Sequence, residues 1–194
     1  MPLRETSDRP TLTAVFYPTP SGSPSPELGQ FTRADAQDMP AGYRGLLAHD
    51  GHMTVTMELC HLSKVDVEVL DRRMADDGKH YTRKILLRTP PSESSPKGRV
   101  VQFGIARMNL DCYPSDVREE VLSERTPLGR VLISHGLLMK VRLLTLWRIE
   151  PGPDLSRALE LDKPTTLYGR TAMIDIDGEP VIELLEISAP LETA

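Results

Sequence analysis

LYGRTAMIDIDGEPVIELLEISAP, residues 167–190, is the stretch whose reading decides the fold. It divides into two apolar runs around Asp177-Gly178. Asp-Gly between such runs predicts a tight β-hairpin, because both residues tolerate positive φ. Strand side chains alternate between faces. Glu186 therefore shares a face with Ile182 and Leu184. Arg170, after Tyr168-Gly169, is a second ionisable group where a strand core should be apolar. A carboxyl on an apolar face is costly to ionise unless paired, so it stays protonated or holds a cation. Glu183 gives the opposite face an equal claim, and periodicity alone does not choose between them.

Working upstream, the other segments read as strands too. In YTRKILLRT, residues Tyr81, Arg83, Ile85 and Leu87 share a face. In RVVQFGIARM, Val101, Phe103, Ile105 and Arg107 do the same. VDVEVL places Val65, Val67 and Val69 on one side, and LLMKVRLLTLWRIE is a long strand with Val141, Leu143, Trp147 and Ile149 facing in. HMTVTMELC alternates Met, Val, Met and Leu with Thr and Glu, the pattern of a half-buried strand. Helices are expected over DVREEVLSE, with Val117 and Leu122 inward, and over PLGRVLISH, where Pro127 suits the first position and Gly136 the end. DLSRALEL supplies a turn or two. Strands broken by a few helices predict an α+β fold: a single antiparallel β-sheet with helices packed on one side.

The 194 residues suffice for one domain with a full core. A net charge of −5 reads against general nucleic-acid binding. No apolar run approaches the ~20 residues of a membrane span. Two cysteines, Cys60 and Cys112, make no disulfide framework and fit a reducing cytoplasm. Seven of the 17 prolines fall in residues 1–40. That Pro/Ser-rich segment is expected to be largely disordered or extended, and to contribute little to the fold. The run Leu12–Tyr17 is the part able to dock. Residues 31–49 read as weakly helical, and 41–194 as the folded domain.

His49-x-x-His52 lacks a strong ligand spacing, so no metal is expected. Ser134-His135 lacks a nucleophile elbow, and Cys112 lacks a base. What remains is Arg83, Arg107, Arg170 and Glu186. Gathered in one cavity, they would suit a small ligand carrying carboxylates, which a guanidinium fork matches bidentately. The competing reading places each arginine at a strand end, reaching solvent.

At these residues the chain resembles the chorismate lyases, which make 4-hydroxybenzoate and pyruvate. YTRKILL is similar to their aromatic-x-Arg-x-Ile/Val-Leu-Leu strand. RTPLGRVL looks like their TPLGRxL helix start. LYGRTAMIDIDGEP and ELLEISAP resemble their Tyr-Gly-Arg hairpin and Glu-x-x-x-Pro strand, and MTVTMEL their early strand. The resemblance spans residues 43–190. It implies an enclosed ligand cavity and cofactor-free elimination of pyruvate from chorismate. It also implies Arg83 on one carboxylate, Arg107 or Arg170 on another, backbone at Leu128 and Gly129 near a helix start, and Glu186 as the acid. The family arginine after the second-strand glycine is absent, because Ile105 follows Gly104. Arg107 would substitute from ~6–7 Å along the strand. Thr171 stands where a second arginine often follows Arg170. The expected state is a monomer or homodimer, without nucleic acid or membrane as partner. Related folds serve as effector-binding domains of transcription regulators, so the alternative is a non-catalytic module for an aromatic carboxylate. The first 40 residues, short and Pro-rich, do not read as a winged helix.

Overall fold

The computed structural model describes residues 11–19, 25–93 and 95–191. Seven strands form one antiparallel sheet. They are β1 (Gly29–Ala34), β2 (Asp66–Met74), β3 (His80–Arg88), β4 (Val100–Asn109), β5 (Met139–Pro151), β6 (Leu167–Ile176) and β7 (Glu179–Ser188). Their spatial order is β1-β5-β6-β7-β4-β3-β2. The β6–β7 hairpin lies at the centre. Asp177 and Gly178 take φ of 51° and 86°, a turn whose twist matches that of its strands.

Both faces of the sheet are covered. On one lie α1 (Ala41–Leu47), α2 (Met53–His61), α3 (Ser115–Ser123) and α4 (Leu128–Ser134). Val117, Val121, Val131 and Leu132 of α3 and α4 pack on Ala106, Ala172, Ile182 and Leu184. Leu46, Leu47, Met53 and Met57 of α1 and α2 pack on Ile85, Leu87 and Leu146. The opposite face, with Phe103, Ile105, Trp147, Leu185 and Ile187, is sealed by α5 (Pro153–Ala158) and a 3-10 turn at Thr11–Val15. The α+β class and single antiparallel sheet are as the sequence implied.

Five local expectations differ. In β4, a register shift opposite Leu87 and Arg88 sends Val101 to the cluster under α1 and α2, away from Phe103 and Ile105. HMTVTMELC is helix α2, not a strand. Met53, Thr54 and Met57 are buried at helical spacing while Val55 and Leu59 face out, so packing overrides a β-like alternation. Phe31 lies in β1 rather than in a helix; only Ala41–Leu47 of that region is α-helical. In α3, Val121 is buried and Leu122 is exposed. In β5, a register shift between Leu143 and Thr145 changes the parity. Val141 and Leu143 therefore join the helix-covered face, while Trp147 and Ile149 join the other.

The N-terminal segment is integrated beyond what its composition suggested. Residues 1–10 and 20–24 lie outside the described residues. Leu12 is fully buried and Tyr17 nearly so. The Tyr17 hydroxyl donates to Asp154, and Lys84 reaches both, at 3.3 and 3.4 Å. β1 then pairs with β5, ahead of the boundary expected at residue 41. Leu12→Ala is expected to cost about 2–5 kcal/mol, as for other buried leucines. Urea unfolding checks it, and an unchanged midpoint would return the segment to a passive role.

Candidate functional site

The site lies where β3, β4, β7 and β6 present one face to α2 and α4. Register sets its floor. Ile85 pairs with Gly104, Gly104 with Glu186, and Glu186 with Arg170, a row crossing four strands. Arg83 sits one row over, opposite Ala106. Gly104 leaves the row open; a Cβ there would meet Ile85 Cδ1 at 3.3 Å. Residues Gly51–Thr54 and Pro127–Gly129 close the roof. Gly129 lets α4 approach α2, since a Cβ there would fall 2.6 Å from Thr54 Oγ1. The walls leave about 60 Å³ to the centres of water molecules.

Arg83 is 2% exposed, and its Nε and Nη1 have no hydrogen-bond partner among the described residues. Burial pushes its pKa down, yet a guanidinium stays protonated at neutral pH. Such a buried, unpaired donor fork is costly in a folded chain and calls for an anion. Tyr113, near Arg83, also has a buried hydroxyl without a partner, and burial holds it protonated. Gln102 Oε1 is a third such group.

Arg170 is fully engaged. Its Nε donates to Glu186 Oε2 at 2.7 Å. Its Nη1 donates to the His49 carbonyl at 2.7 Å and its Nη2 to the Gly51 carbonyl at 3.2 Å. One side chain thus ties the floor carboxylate to the loop that roofs the cavity.

His49 stiffens the same loop. Its Nε2 lies 2.8 Å from the Leu46 carbonyl, and its Nδ1 accepts from the Gly51 N–H at 2.9 Å. That network assigns the proton to Nε2 and leaves the ring neutral. Burial first, then Arg170, lowers the His49 pKa, and the same two causes lower that of His52. A histidine depressed in the fold binds its proton more readily unfolded. The stability it contributes is therefore present above pH ~6.5 and is lost as pH falls below that. The His49 ring is expected to titrate below pH ~6.5 by NMR, with the Gly51 amide shift following the same midpoint. A midpoint at or above the ordinary value would exclude this network.

Five of the six sequence-derived candidates, Arg83, Arg170, Leu128, Gly129 and Glu186, line the cavity. Arg107 does not. It pairs with the backbone of Thr82, whose side chain faces away from Arg83, and its guanidinium bonds Glu183 on the far face. It therefore does not replace the arginine absent at Ile105. The competing placement of Arg83 and Arg170 at solvent-exposed strand ends is also excluded by their burial. Gln102 was missed, because an amide in a strand core raises no charge signal. His52 was considered only as a metal ligand, yet it lines the roof.

No family model and no curated protein matches the chain. Solved structures do. PhnF from Mycobacterium smegmatis superposes with a TM-score of 0.54 at 12% identity, over 73% of this chain and 64% of that one. The likeness shows the fold. The effector domain of PhnF aligns over 72% of this chain and 88% of that one, with TM-score 0.49 and 13% identity. The C-terminal domain of the histidine utilization repressor from Pseudomonas syringae pv. tomato aligns with TM-score 0.44 and 14% identity, over 68% and 98%. The chain thus spans less than two thirds of the length of full PhnF.

Proposed function

We propose that this chain is a binding module for a small aromatic carboxylate. The observation that carries the reading is Arg83: a buried guanidinium with two unpartnered N–H donors in an otherwise largely apolar cavity. A carboxylate accepts both donors at once, while a ring fills the space between Ile85, Val141 and Leu184. Isothermal titration with benzoate and 4-hydroxybenzoate tests it. Saturable binding by the folded protein is expected, and no heat from any small aromatic acid would end the reading.

Glu186 favours a second reading, a lyase that eliminates pyruvate from chorismate with aromatisation of the ring. Its carboxyl lines the cavity, whereas Glu183 faces Arg107 on the other side. As a carboxylate that takes the ring proton lost on aromatisation and passes it to the departing enolpyruvyl group, it would contribute about 10²–10⁴-fold. Glu186→Gln should then reduce pyruvate release from chorismate in that range, and Glu183→Gln should change it little. Wild-type protein that binds hydroxybenzoate and releases no pyruvate leaves the binding module alone standing.

A further inference from the structure

Gln102 lies on β4, on the cavity side of the sheet, opposite Leu87 on one neighbour and Ser188 on the other. It is 3% exposed, and its Oε1 has no hydrogen-bond partner among the described residues. Ser188, beside it, already spends its hydroxyl on the Ala189 carbonyl at 2.7 Å. The lining near Gln102 is otherwise apolar, with Val67, Ile85 and Leu87. A buried acceptor in apolar surroundings is destabilising unless something donates to it.

Its position relative to Arg83 gives it a purpose. Arg83 pairs with Ala106, four residues along β4 from Gln102. Strand spacing puts the two Cα atoms ~14 Å apart on adjacent strands. Strand side chains stand roughly perpendicular to the sheet, so polar ends held apart on that scale leave room for one six-membered ring with a substituent at each end and a hydrogen bond of ~3 Å beyond each. One end offers guanidinium donors, the other an amide acceptor.

We infer that Gln102 is the specificity-determining residue of the cavity, accepting a hydrogen bond from a hydroxyl or amino group at the end of the ligand opposite its carboxylate. The inference rests on the carboxylate-binding reading and narrows its ligand class to ring acids with a distal donor. A site built to hydrogen-bond a ligand group rejects the analogue lacking it, because its own polar atom is then left buried and unpaired.

The test is a matrix of dissociation constants by calorimetry. The probes are benzoate, 4-hydroxybenzoate and 4-aminobenzoate. The proteins are wild type, Gln102→Leu, which removes the amide at similar volume, and Gln102→Met, which keeps the unbranched length should leucine disturb packing. Circular dichroism confirms each is folded. Wild type is expected to bind the two donor-bearing acids at least about tenfold more tightly than benzoate. Both variants should lose that preference, and should bind benzoate as well as or better than wild type does. If wild type binds all three acids alike, or a folded variant keeps the preference, Gln102 does not read the ligand, although the carboxylate site stands. If no acid binds at all, the carboxylate reading falls and this inference with it.

Discussion

Replacing Arg83 with methionine is expected to abolish most ligand binding and to stabilise the unliganded protein. The two effects share one cause. The Arg83 guanidinium is buried, with Nε and Nη1 unpaired among the described residues. Methionine fills similar space without a donor, so the fold should gain about 1–3 kcal/mol. For a chain of this size that is about 2–12 °C in Tm. With ligand present the sign reverses. Losing a buried charged partner costs about 2–5 kcal/mol, or roughly thirty- to several-thousand-fold in Kd. Thermal unfolding with and without 4-hydroxybenzoate shows both. A destabilised apo variant would mean that Arg83 serves the fold, and unchanged affinity would remove it from the site.

Arg170→Met should behave in the opposite way, as a defect of folding first. The substitution strands the buried Glu186 carboxylate and removes the donors to two loop carbonyls. Breaking a buried pair from one side typically costs about 3–5 kcal/mol, here roughly 6–20 °C in Tm. Removing both partners leaves no orphan charge, so Arg170→Met with Glu186→Leu should recover part of the loss. A coupling of about 0.5–3 kcal/mol in that double-mutant cycle is the expected signature of the contact. Strict additivity would show that the two side chains act separately. The pair of results would divide the cavity's arginines by role, since two donors of Arg83 lack a partner among the described residues while Arg170 already has its partners.

Much of this was legible in the sequence, for reasons that differ by residue. Asp177-Gly178 announced the hairpin because few other pairs accept positive φ twice. Arg83 and Glu186 stood out because a charge interrupting an apolar face needs a reason, and at both positions the structure supplies a cavity. Alternation also grouped Arg107 correctly with Phe103 and Ile105. It gave no means of knowing which face held the cavity, because helices or turns cover both. The same limit left Glu183 and Glu186 equal until the register was visible. The β5 bulge escaped notice because nothing in LLTLW marks an extra residue. MTVTMEL read as a strand because Met, Val, Met and Leu alternate with Thr and Glu. Its helical state follows from packing against α1 and α4, a long-range fact. The role of Leu12–Tyr17 was hidden by the Pro-rich composition on either side of it.

Gly104 sets how deep the cavity is. It is the one position in the central row without a side chain, and a methyl added there would press only 3.3 Å from the flexible tip of Ile85, clear of any backbone clash. The fold can absorb that step by turning one isoleucine rotamer, while the chamber above becomes shallower. The depth of the chamber is therefore set at a residue whose replacement carries little risk of unfolding. A single methyl there would make it shallower and leave its cationic end and its roof untouched.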